Sequence, residues 1–299
     1  MRVTQNMIDR NLMSAINDSY ERLSKLNTQI ATGQRVNTIS DDVPASEQIL
    51  QLQRENGRLD AYGQNLDTVD TVMSMATTSL TAVSDAMSRA KELAVQAATG
   101  TYNDTDRQAM AAGVDSVISS LLEQANVDNN GAYVFGGEAT RTTPYTATTG
   151  ANGEIQAVNY NGAMTSSEVA VGPSTQANTN YVGSDVLQKD SDLFATVISL
   201  RDAIRNNDLT QVNTLIGQLD ACHTDVLSSL GMLGERQAQL QVLRTATQSF
   251  QQLNSQTISN KQDADVSQVS VQYNSQMALL QMVLKTTAEA IQPTLADFL

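Results

Sequence analysis

The sequence predicts a mainly α protein with a β-rich insert: long helices from both chain ends form an elongated coiled-coil rod, with a small all-β subdomain in the middle. Three observations carry this. Apolar residues recur in steps of three and four over long stretches on both sides of the centre. That periodicity stops between Asp128 and Asp192, where eight of the chain's 16 glycines fall. Both ends of the chain then show a single apolar stripe at helical spacing.

The first stripe is Ile8, Leu12, Ile16, Leu23, Leu26 and Ile30, with polar residues around it and Gly33 as a helix stop. Ser40, Asp41 and Asp42 lead into Pro44, whose fixed φ suits the first turn of a second helix. In that helix Leu66, Val69, Met73, Ala76, Leu80, Val83, Met87, Ala90, Ala94 and Ala97 form an unbroken a/d seam. Running from near Pro44 to before Gly100, it spans on the order of 80 Å at 1.5 Å per residue. A helix of that length needs a partner along most of it. Asn103 and Asp106 cap a further helix ending near Asn126, with Val114, Val117, Ile118, Leu121 and Leu122 on its buried side.

In the glycine-rich stretch, short runs of alternating polarity such as Ala132 to Phe135, Ile155 to Tyr160 and Glu168 to Val171 lie between turn signals including Asn152-Gly153 and Asn161-Gly162. Five of the 12 aromatics sit here, which a β insert needs for its own core. Helical spacing returns at Leu193, Val197, Leu200 and Ile204 and continues through Leu209, Val212, Leu215, Ile216 and Leu219. Val226, Leu230, Leu233, Leu240, Leu243, Phe250 and Leu253 make an imperfect stripe after it. The last stripe is Val266, Val269, Tyr273, Met277, Leu280, Leu284 and Ile291, closed by Pro293. The expected domains are an inner assembly domain (1–42 with 256–299), a helical rod (43–127 with 193–255) and a β-rich outer domain (128–192).

Composition narrows function. Eighteen basic against 32 acidic side chains give a net charge of −14, a field that repels nucleic acid and anionic lipid. The N-terminus lacks the apolar run of a secretory leader, and no stretch has the apolar length of a membrane span. One cysteine, Cys222, beside one histidine, His223, offers no ligand spacing for zinc and no oriented nucleophile. Asp41 and Asp42 read as capping carboxylates, and Met73, Met75 and Met87 as core. Phe135-Gly136-Gly137-Glu138 lacks the lysine and the following helix of a phosphate loop. The reading is therefore of a non-enzyme with no cofactor and no metal.

The chain ends are the informative part. Residues 1–40 are net +2 and residues 256–299 net −2, and each carries a stripe that a lone helix or helix pair cannot fully bury. Exposure of that kind marks an interaction surface. The thirteen stripe residues at the two ends are thus the candidate assembly interface, completed by copies of the same or related chains, with the ends ordering on assembly.

Leu23-x-x-Leu26-x-x-Gln29-Ile30-Ala31-Thr32-Gly33-x-x-Val36-Asn37, followed by Ser40-Asp41-Asp42-x-Pro44-Ala45, resembles the amino-terminal signature of the bacterial flagellin family. Asp263-Ala264-Asp265-Val266-Ser267, with Tyr273, Gln276 and Leu279-Leu280, is similar to that family's other end. Gly131 to Gly137 and the ending Leu295-Ala296-Asp297-Phe298-Leu299 resemble the hook-associated junction branch rather than filament subunits. The resemblance implies an extracellular structural subunit joining hook to filament, exported unfolded through the flagellar type III channel. It implies partners in copies of itself, a neighbouring hook-associated protein, flagellin and an export chaperone, with no nucleic acid or membrane. The alternatives are a short flagellin and, from another class, a cytoplasmic signalling coiled coil suggested by the Ala- and Met-rich heptads.

Overall fold

The computed structural model describes residues 5–189 and 191–291. Its elements run α1 (Gln5–Thr32), α2 (Val43–Ala98), α3 (Asp104–Ala125), β1 (Asp128–Asn129), β2 (Ala132–Tyr133), β3 (Tyr145–Thr149), β4 (Ile155–Tyr160), β5 (Glu168–Ala170), β6 (Gln176–Asn178), α4 (Gly183–Leu187), α5 (Leu193–Arg205), α6 (Leu209–Gln262) and α7 (Val266–Ile291). The chain divides into two units, one of Leu59–Gln248 and one of Met1–Arg58 with Ser249–Leu299.

In the larger unit every residue of the predicted seam, Leu66 to Ala97, is buried. The partner for that seam is α6, antiparallel to α2. Ser84 Oγ meets His223 Nε2 at 2.7 Å, Lys91 pairs with Asp220, and Arg244 reaches back to Asp67 at 2.8 Å. Steps of three and four place one stripe on one helix face, so the face closes only if a second helix follows it. Helix α3 opens with the expected capping box, Asn103 and Asp106 each accepting from the other's backbone N–H. Its buried face meets α5. Between α5 and α6 the run Asn206-Asn207-Asp208 breaks the helix: Asn207 takes φ +55°, a left-handed position Asn tolerates, and Asp208 Oδ1 accepts from Gln211 N to start α6.

The insert is built of strands, but not as one sheet with its own core. Three separate antiparallel hairpins form, β1–β2, β3–β4 and β5–β6. A two-stranded hairpin cannot hide both faces, so these lean on the helices and share their core. Tyr145 lies within 5.1 Å of the Tyr160 ring centroid and 5.3 Å of Phe194 on α5. Arg201 of α5, only 3% exposed, donates to Asp115 of α3 at 3.1 Å and to the Ile155 carbonyl of β4 at 2.6 Å. Arg205 completes the tie through Glu154. The Gly136-Gly137 turn pairs with Tyr181 and Val182, fastening the hairpins to α4. Two readings of the last stripe of α6 are corrected: Phe250 and Leu253 lie exposed at 58% and 61%, because the buried face has rotated away from them.

Candidate assembly site

The smaller unit is made by α1 lying along α7. Leu23, Val269 and Leu280 are buried in this seam at 7%, 8% and 6% exposure. Leu12, Ile16, Leu26, Ile30 and Tyr273 are half-buried beside them. Val266, Met277 and Leu284 stay exposed on the seam's flank. The side chains of Ile8 and Ile291 lie outside the described residues. One part of the predicted stripe is therefore spent inside the chain, and the rest is only partly covered.

What aligns the two helices is a pair of turns. Gly33 ends α1 at φ +70°, a left-handed geometry that L side chains resist, although a Cβ there meets nothing within 4 Å. Its carbonyl accepts from Ala264 N at 2.9 Å, while Arg35 N and Val36 N donate to Gln262 O at 2.6 and 3.3 Å. Arg35 Nη2 adds a bond to the Lys261 carbonyl at 2.8 Å. Buried Gln29 braces the turn by donating to the Arg35 carbonyl. Beneath it Val36, Ala45 and Ile49 pack with Ile258. The residues carrying the family resemblance at the two ends thus hold each other.

Two carboxylates fix the entry to α2. Asp42 Oδ1 accepts from Ala45 N at 3.0 Å and its Oδ2 pairs with Arg35 at 2.9 Å. Asp41 Oδ2 accepts from Asn37 N and Thr38 N, and its Oδ1 pairs with Lys25 at 2.8 Å. The hydrogen bond from Lys25, backed by the Thr38 amide, holds the Asp41 carboxyl far below the usual carboxylate range, and Arg35 lowers Asp42 in the same way. The capping role of both is observed. Their pairing with Lys25 and Arg35 went unread in the sequence, because seven or more residues of irregular chain separate the partners.

A second set of residues was also missed. At about 100° per residue, Val271, Leu279 and Met282 lie on the side of α7 opposite its seam with α1, exposed at 69%, 48% and 60%. On α1, Met13 and Tyr20 are exposed at 64% and 54% and share a face seven residues apart. Their signal was in the sequence, since 271, 278 and 282 also follow helical spacing, but the stronger stripe drew attention first. Along the seam a shallow groove is lined by Arg22, Lys25, Gln29, Gln272, Ser275 and Gln276. Among the described residues no group of three or more His, Cys, Asp and Glu is placed to hold a metal. No described helix is long and apolar enough to cross a membrane.

Residues 3–140, which include α1, the signature turn, α2 and α3, match the bacterial flagellin N-terminal helical region. The chain carries a flagellin-type amino-terminal half. Within the flagellin family the likeness falls in the hook-associated protein 3 branch. Flagellar hook-associated protein 3 of Salmonella typhimurium is 32% identical over 151 residues, 50% of this chain and 48% of that one. Flagellin of Listeria monocytogenes is 26% identical over 129 residues, 43% of this chain and 45% of its own. The chain spans about half the length of the curated relatives it matches. The fold is shared with the crystal structure of hook associated protein-3 from Legionella pneumophila, at 16% identity and a TM-score of 0.63 over 71% of this chain and 98% of that one.

Proposed function

We propose that this chain is a structural subunit of the bacterial flagellum, of the hook-associated protein 3 type, that joins hook to filament by coiled-coil packing of its N- and C-terminal helices against neighbouring subunits. One observation carries the reading: α7 is apolar on more faces than α1 can cover. Val271, Leu279 and Met282 opposite the seam, with Val266, Met277 and Leu284 on its flank, form an exposed apolar surface on one 26-residue helix. Copies of the same chain, a neighbouring hook-associated protein and flagellin are the partners proposed for these faces. An export chaperone covers them beforehand, and the chain leaves the cell unfolded through the flagellar export channel. The inner assembly domain, helical rod and outer β-rich domain retain the proposed boundaries 1–42 with 256–299, 43–127 with 193–255, and 128–192. The test is a strain lacking the gene. Bare hooks with flagellin shed into the medium are expected, and filaments still attached would overturn the proposal. The reading as a short flagellin, which the Listeria likeness favours, expects loss of the filament polymer with no other flagellin released.

A further inference from the structure

The larger unit contains a cleft that assembly through the terminal helices does not use. It opens where β6, α4 and the segment between them face α6, and its volume is about 170 Å³. Its floor is apolar, with Phe135 fully buried and Leu233 at 6% exposure. Four polar side chains reach it: Asn178, Tyr181, Ser229 and Arg236. Ser229 is only 4% exposed. Hydroxyls elsewhere on α6 and α3 return to the carbonyl four residues back, as Thr224 does to Asp220 and Ser116 to Ala112, but Ser229 makes no such bond. The Tyr181 backbone is fixed on both sides, its N–H donating to Val134 O and its carbonyl accepting from Gly137 N. Its phenol, 6% exposed as a residue, makes no hydrogen bond among the described residues, and burial pushes its pKa up to about 12, which keeps it a neutral donor. Arg236 approaches that phenol and has no carboxylate within ion-pair reach among the described residues, although Asp185 also lines the cleft.

A buried polar group without a partner is costly, so donors left unsatisfied around an apolar floor mark a place where an acceptor belongs. All four side chains can donate, and the guanidinium presents a fork that matches a carboxylate. An apolar cavity of about 150 Å³ accommodates benzene, which sets the size of the body that fits here. We propose that this cleft binds a small monocarboxylate with a compact apolar body, the carboxylate on Arg236 with Tyr181 and Asn178, the body over Phe135 and Leu233 toward Ser229. It is independent of the flagellar reading.

The probe is benzoate, titrated into the full chain and followed by saturation-transfer NMR and calorimetry. Saturable binding in the millimolar range is expected, with benzamide at least about tenfold weaker because it lacks the charge that Arg236 meets. Arg236→Gln, at an exposed position, is expected to lower benzoate affinity by about tenfold with an unchanged melting temperature, and Asp185→Asn to raise it by removing a competing charge. No saturable binding by the wild-type chain, equal binding of benzoate and benzamide, or full affinity in Arg236→Gln would each overturn the proposal.

Discussion

Gly33 and Asp41 show how single residues set the geometry of the terminal unit. Gly33 is required for its angle and not for space: at φ +70° an alanine adopts a strained left-handed backbone, yet its methyl meets nothing within 4 Å. Gly33→Ala is therefore expected to destabilise the terminal unit by about 1 kcal/mol, read as an earlier loss of helix on heating. An unchanged melt would show that the turn relaxes. Asp41 acts through charge. Its carboxyl is depressed below its unfolded value by Lys25 and by two backbone amides. A group lowered in this way contributes stability that is complete above its unfolded pKa of about 4 and is lost as pH falls below that value. The terminal unit should accordingly keep its stability from neutrality down to about pH 4 and weaken steadily in stronger acid. Asp41→Asn should be weaker at neutral pH and show a flatter acid limb; an acid limb identical to that of the parent would assign the loss to other carboxylates.

At the scale of elements, α7 separates two roles that one helix carries. Its seam with α1 is filled by Val269 and Leu280, while Val271 and Met282 take no part in it. Placing a charge at Val271→Asp or Met282→Asp should cost the isolated chain less than about 0.5 kcal/mol, since neither side chain is buried, yet should abolish attachment of filaments in a complemented strain. Wild-type attachment by both variants would remove this face from the interface. The contrast between seam and face also shows what could be read from sequence alone. The α2 seam was legible because ten consecutive steps of three and four leave no other period, and the Asn103–Asp106 box because both partners lie within one turn. The latch between Gly33, Arg35 and Lys261–Ala264 was not. Its bonds run mostly from backbone to backbone, which has no side-chain signature, across more than two hundred residues. Strands β3 and β6 were missed for a third reason: Tyr145–Thr149 and Gln176–Asn178 are short and polar, and only the helices beneath supply their apolar partner.

For the whole molecule, the two units differ in how much each buries within itself. The unit of Leu59–Gln248 joins α2, α3, α5, α6 and the three hairpins into one continuous core. The terminal unit relies on Leu23, Val269 and Leu280 in its seam, on the small cluster of Val36, Ala45 and Ile49, and on the latch. Stability follows buried apolar area and local opening begins where that area is thin, so the units should not melt together. Hydrogen exchange on the monomer is expected to show α1 and α7 exchanging well before the buried stretch Leu66–Ala97. Limited proteolysis should remove roughly the first and last 40 residues ahead of a resistant middle. The same amides in assembled flagella should then be protected, because neighbouring subunits add the buried area that the terminal unit lacks. Equal protection of both units in the dilute monomer would mean that α1 and α7 already hold enough contact to be stable alone. The exposed apolar face of α7 would then have to be explained without a partner.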